Sequence, residues 1–143
     1  MLFRSTYYRP YAAAMTSTVD DRLAATGRAV VVDVHSYPSG ALPYELHAAR
    51  PRPAVCLGTD PFHTPPGLLA AARDAFAVHG EVAENAPFAG CYVPLRYHGR
   101  DAAVSALMVE MRRDSYMREP GGPPTDGAAR VTAALARLVD AVT

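Results

Sequence analysis

The hydrophobic positions of this chain fall into two periodicities, one helical and one unbroken, and their alternation predicts its elements. After Pro10, the apolar residues Tyr11, Met15, Val19 and Leu23 recur on one helical face until Gly27, which predicts an amphipathic helix. Residues 29–34 then form a continuous, mainly β-branched run, the pattern of a strand covered on both faces in a largely parallel sheet. Pro38, Gly40 and Pro43 predict an irregular loop, and "AVCLGTD" a short strand over 54–57 ending in a turn. Beyond Pro65, Pro66 and Gly67, "LLAAARDAFAVHG" predicts a helix ending at Gly80. A strand to Ala83, a Pro/Gly-broken loop and a further short strand are expected in "EVAENAPFAGCYVPLRYHG". Residues 104–111, "VSALMVEM", repeat the buried-strand signal, and Val131, Leu135, Leu138 and Val142 mark the apolar side of a last helix. Helices feeding buried strands predict an α/β fold, a mixed and mainly parallel sheet flanked by helices, in a single domain over 1–143.

Both strong strands carry charge at or near their carboxyl ends: His35, with Asp33 two residues before it, and Glu110. Open α/β sheets form their clefts at such ends. Two readings are open. The residues are strand-end groups satisfied by backbone or by Arg112, or they form a site in which an imidazole holds a metal and a carboxylate moves a proton.

Composition narrows the partners. Fourteen Lys and Arg against fourteen Asp and Glu give a formal charge of zero, which removes the electrostatic term that nucleic acid or an anionic membrane surface needs. With no charged-then-apolar leader and no apolar run of spanning length, the expected setting is soluble and cytoplasmic. The two cysteines, Cys56 and Cys91, are too far apart for a CxxC metal site and are expected to be free thiols acting as small buried hydrophobes. His47, His79 and His98 lie in loop or helix-end contexts and are expected to be ordinary surface histidines.

The motifs "RPYAAAM", "VVDVHSYPS", "CLGTDPFHTPP", "NAPFAGCYV" and "ALMVEMRRDSYM", in this order and over nearly the whole chain, resemble the N-formylglutamate amidohydrolase family. That family is related in fold to the zinc carboxypeptidases and phosphorylase/hydrolase-like proteins. The resemblance implies that His35 of the D-x-H-S motif is a zinc ligand and that Glu110 is the general base. It implies hydrolysis of an N-formyl or N-acyl amino acid such as N-formylglutamate, a small-molecule substrate, to formate and the free amino acid. A substrate carboxylate needs a cation, for which Arg96 is the first candidate, with Tyr92 and Asn85 as hydrogen-bonding neighbours. A solvated arginine, a packed tyrosine and a turn-making asparagine are the competing readings. Asp33, Ser36, Asp60, His63 and Arg112 are expected behind the residues that meet metal and substrate, Asp33 orienting His35 and Asp60 capping a turn.

Family members also carry, ahead of the first helix, strands with a Pro-His-Ser-Gly-like motif and an acidic residue that supply the other zinc ligands. The chain is therefore expected to lack those N-terminal strands. A catalytic zinc takes three protein ligands plus water, so only one ligand is visible here, and no i,i+4 or HxxE pair offers His63 or His98 as a substitute. The alternative expectation is a non-catalytic remnant that keeps a carboxylate-binding or protein-interaction role. Either way, an exposed sheet edge is expected to favour homo-oligomers.

Overall fold

The computed structural model describes residues 3–43, 45 and 52–143. A π-helical segment, Arg4–Tyr8, leads into α1 (Arg9–Thr26), with Pro10 in its first turn and Gly27 closing it at φ 73°. Only glycine takes that left-handed cap without strain, so the chain reverses there and enters β1 (Ala29–Tyr37) running back along α1. The order continues β2 (Val55–Gly58), α2 (Pro66–Phe76), β3 (Val82–Glu84), β4 (Val104–Arg112) and α3 (Gly127–Val142).

One four-stranded sheet has the order β1-β4-β2-β3. β1 pairs with β4 and β2 with β3 in parallel, while β2 and β4 are antiparallel, so the sheet is mixed and mainly parallel, as the run pattern predicts. The side chains sort by parity. Leu107, Val109 and Met111 of β4, with Val55 and Leu57, pack against α2 and α3 through Leu68, Ala72, Phe76, Val131, Ala134 and Leu138. On the opposite face Ala29, Val31, Val104 and Ala106 pack under Val19 of α1, with Met15 and Leu23 beside it. Alternate residues on opposite faces explain why an unbroken valine run was needed: each face of β1 has its own helical cover.

Two expectations shift, the length of β1 and a further short strand. β1 continues three residues past Val34, to Tyr37, so Asp33 and His35 lie inside the strand rather than at its end. Among the described residues β1 has one strand neighbour, β4, and Val34 is 46% exposed. The valine run reported helices above and below the strand, and carries no information about its edge. Along that edge lie a cavity of about 220 Å³ bordered by Val30, Val32, Val139 and Val142, and one of about 340 Å³ bordered by Met15, Val19, Val30 and Val32. The further strand expected before Tyr97 is absent: Pro94 accepts from the N–H groups of Tyr97 and His98, and residues 95–100 turn. No helix among the described residues is long and apolar enough to cross a membrane.

Candidate active site

Register brings together what the sequence separates by 75 positions. His35 is paired with Glu110 across β1 and β4, and Cys56 is paired with Glu110 across β4 and β2. Side chains at paired positions of neighbouring strands leave the same face, so imidazole, carboxyl and thiol stand abreast, on the α1 side of the sheet but beyond the part covered by Val19. Asp33, two residues before His35, shares that face. Its Oδ1 lies 2.7 Å from His35 Nε2. The ring is half exposed while the aspartate is largely covered.

Because Nε2 is committed to Asp33, Nδ1 is the ring atom left to face outward, and it has no partner among the described residues. A carboxylate behind one imidazole nitrogen, fixing the tautomer so that the other can coordinate, is the arrangement that metal-binding histidines use. Glu110 is under the opposite kind of demand. Its Oε2 is buried with no hydrogen-bond partner among the described residues. Burial pushes its carboxyl above the usual carboxylate range; His35 and Arg113 oppose the shift and Asp33 reinforces it. A buried acceptor left unsatisfied costs the fold its full desolvation penalty, a cost that persists where chemistry requires the group.

The flanks of this floor are aromatic. Tyr37, on the same face two residues beyond His35, is buried with its hydroxyl donated to the Pro53 carbonyl, and its ring meets Phe88 edge-on at 5.2 Å. Burial, above all, drives its phenol strongly upward, so it stays neutral. On the other flank Tyr92, which feels the charge of Asp33, faces Tyr11 of α1 at 5.9 Å. Cys56 donates to the Phe88 carbonyl at 3.2 Å, and burial raises its thiol. Sequence reasoning passed over Tyr37, and expected Cys56 to be a free, buried thiol, as it is, without its place beside Glu110. Counting by two from His35 would have found the tyrosine, whereas Cys56 emerges only from the β2–β4 register.

The wall over β2 is held by backbone contact. Asn85 sits at φ 53°, a left-handed conformation that asparagine tolerates, with Oδ1 accepting from Thr59 N at 2.9 Å and Nδ2 donating to Thr59 Oγ1 at 2.7 Å. The loop it starts then crosses β2 so closely that a Cβ on Gly58 would lie 2.1 Å from the Gly90 carbonyl oxygen and 2.5 Å from Met108 Cε. Gly58→Ala is therefore expected to push the wall outward and cost about 1–3 kcal/mol. A fall in the urea midpoint at unchanged m-value checks this; an unchanged midpoint contradicts it.

The remaining candidates are placed as follows. Arg96 pairs with Asp20 of α1 at 2.9 Å, beside Tyr97, whose hydroxyl also binds Asp20. Asp20 adjoins Val19, which packs at the amino-terminal half of β1 and β4, so the structure does not bring Arg96 to His35 and Glu110. Asn85 is spent on the turn. Ser36 alternates to the opposite face from His35 and accepts from Arg113 Nε at 3.2 Å. Asp60 caps its turn as expected: burial raises its carboxyl, but the N–H groups of Phe62 and His63 on Oδ1 outweigh this and hold it below the usual range. His63 is buried, its Nδ1 donating to the Val104 carbonyl at 2.6 Å and its Nε2 accepting from Gly99 N at 2.8 Å. Both nitrogens are used, so it cannot ligate. Arg112 lies on the Glu110 face, paired in register with Tyr37, and donates to Asp114 at 2.8 Å. Exposed His98 lies 3.5 Å from Asp60, His79 is partly covered with its Nε2 buried, and His47 lies outside the described residues.

Among the described residues no three His, Cys, Asp or Glu side chains converge to hold an ion. The residues present thus fit one arm of a zinc site, His35 Nδ1 backed by Asp33.

Comparison with known proteins places this geometry. The family model of N-formylglutamate amidohydrolase matches residues 2–117. The chain belongs to the N-formylglutamate amidohydrolase family. The crystal structure of N-formylglutamate amidohydrolase from Ralstonia eutropha JMP134 superposes with a TM-score of 0.76 at 29% identity, over 97% of this chain and 53% of that one. The chain thus spans about half the length of that family member. No curated protein sequence matches it.

Proposed function

We propose that this chain carries the base-bearing part of a metal-dependent amidohydrolase site that cleaves N-formyl or N-acyl amino acids, N-formylglutamate being the family's type substrate, to the acid and the free amino acid. What supports the reading is one observation: the buried, unpartnered carboxyl oxygen of Glu110 abreast of an aspartate-backed imidazole. Glu110 accepts a proton from the water that attacks the acyl carbon, and returns it to the nitrogen as the C–N bond breaks. Its raised proton affinity suits that traffic, because a base must also let go of the proton as an acid. Asp33 holds the His35 ring with Nδ1 outward. A zinc ion on that nitrogen would polarise the acyl oxygen and acidify water. Further ligands have to come from polypeptide outside the described set, in the same product or in a partner chain.

That no second and third ligand converge on His35 among the described residues favours a second reading, a metal-free member that binds carboxylate ligands without turning them over. Elemental analysis of the purified protein, together with formate release from N-formylglutamate, separates the two: bound zinc with turnover supports the hydrolase, and their joint absence supports the remnant.

We also propose association through the free edge of β1. Alternate residues of β1 turn their backbone N–H and C=O groups away from β4, where no strand among the described residues pairs with them, between apolar grooves, a template for another strand. Light scattering at micromolar concentration is expected to show species larger than a monomer; a monodisperse monomer contradicts it.

A further inference from the structure

Two buried side-chain polar atoms have no hydrogen-bond partner among the described residues. One is Glu110 Oε2, at the candidate site. The other is His79 Nε2, which belongs to a residue bordering a cavity of about 240 Å³ at the carboxyl end of β4. A buried polar atom left bare calls for a partner that the chain does not itself supply. His79 ends the turn after α2, and Arg130 lies in the first turn of α3. Both helices pack on the sheet face opposite Glu110, so this cavity is separate from the His35–Glu110 floor, and it takes no wall from α1 or β1.

The polar groups that line it fall into two sets. On the donor side, Arg130 has no ion pair among the described residues, and Arg112, with Nε on Asp114 Oδ1 and Nη1 on the Arg52 carbonyl, keeps Nη2. The acceptors are three. Asp114 keeps Oδ2, and Ser115 Oγ, having donated its proton to the Arg112 carbonyl at 2.6 Å, can only accept. His79 is held neutral: burial, above all, pushes its pKa below the ordinary value and the charges of Arg130 and Arg137 add to this, while a hydrogen bond donated to the Arg130 backbone opposes it. That bond uses the ring's one proton, so Nε2 carries a lone pair. A simple anion would pair with the guanidiniums but stand beside the Asp114 charge and leave Nε2 bare, and a simple amine would do the reverse. An α-amino acid carries both groups on a single carbon.

We propose that this cavity binds a free α-amino acid as its zwitterion, the carboxylate on Arg130 and Arg112 and the ammonium on Asp114, Ser115 and His79 Nε2. Only the identification of that ligand with the reaction's amine product rests on the amidohydrolase reading.

Calorimetry on the full chain with L-alanine, acetate, ethylamine and inorganic phosphate tests it. Alanine is expected to bind, and each of the others at least about tenfold more weakly, because each satisfies one set of groups alone. Arg130→Ala is expected to weaken alanine binding by at least about tenfold, and His35→Ala to leave it unchanged. Arg130 is exposed and belongs to neither core cluster, so its truncation spares the fold, which circular dichroism verifies. In nitrogen NMR of the His79 ring, bound alanine should shift the Nε2 resonance as a lone pair that accepts a hydrogen bond does. Failure of alanine to bind overturns the proposal, as do equal affinity for acetate or phosphate, binding that survives Arg130→Ala, an unmoved Nε2 resonance, or loss of binding in His35→Ala, which would seat the ligand on the floor. Arg130-dependent alanine binding without formate release from N-formylalanine supports the cavity while refuting the hydrolytic reading. Formate release without that binding refutes the cavity alone.

Discussion

Glu110→Gln is expected to abolish hydrolysis while making the protein more stable at neutral pH. Loss of a general base of this kind removes on the order of 10²–10⁴ in rate, and here the same carboxylate would also serve the leaving amine. The stability gain follows from burial. The folded state holds the Glu110 proton more tightly than the unfolded chain does, because desolvation penalises the anion more than His35 and Arg113 favour it. The folded protein thus binds more protons in that range, and stability falls as pH rises from the ordinary carboxylate value through the raised folded value. Glutamine has no charge to desolvate. The wild-type and variant melting curves of metal-free protein should nearly coincide below about pH 4, diverge as pH climbs through the raised value, and stay parallel above it. A variant that melts lower than wild type at neutral pH would show that the carboxylate is satisfied and the buried oxygen is not a functional cost.

His35→Ala is expected to eliminate metal binding and turnover together, and Asp33→Asn to weaken both by about 10–100-fold. The two substitutions separate holding from orienting. The alanine removes Nδ1 itself, whereas the asparagine keeps the size of Asp33 but withdraws the charge behind Nε2 at 2.7 Å. Zinc content after dialysis against a weak chelator reads the first effect, and competition with a fluorescent zinc indicator reads the second. Retention of zinc at equal stoichiometry by the alanine variant would assign the ion elsewhere. Neither residue supports a buried core cluster, so both variants should fold, and the near-wild-type melting temperature that follows is itself a check.

Much of this was legible in the chain. The two valine-rich runs predicted the adjacent strands, and the polar residues they carry, His35 inside β1 and Glu110 near the end of β4, are the ones that the register sets side by side. Pairing His35 with Glu110 rested on family resemblance, and the β1–β4 register supplies its geometry. What stayed hidden has physical causes. Arg96 reads as a ligand-seeking cation until α1, folded back along β1, presents Asp20 to it, a contact 76 positions apart that no local pattern encodes. Cys56 looks like filler because its neighbour Glu110 arrives from an antiparallel strand 54 residues on. Asn85 could be read equally as a substrate contact or a turn, and only its positive φ decides.

His63 carries a consequence for any metal measurement on this protein. With one ring nitrogen donating to Val104 and the other accepting from Gly99, it fastens the start of β4 to the turn beyond Tyr97 and has neither a lone pair to offer an ion nor a proton to lend. Titrating zinc into the folded chain therefore interrogates position 35 without interference from the deepest imidazole. That immunity should vanish on denaturation, when the released ring becomes one more competitor for the ion.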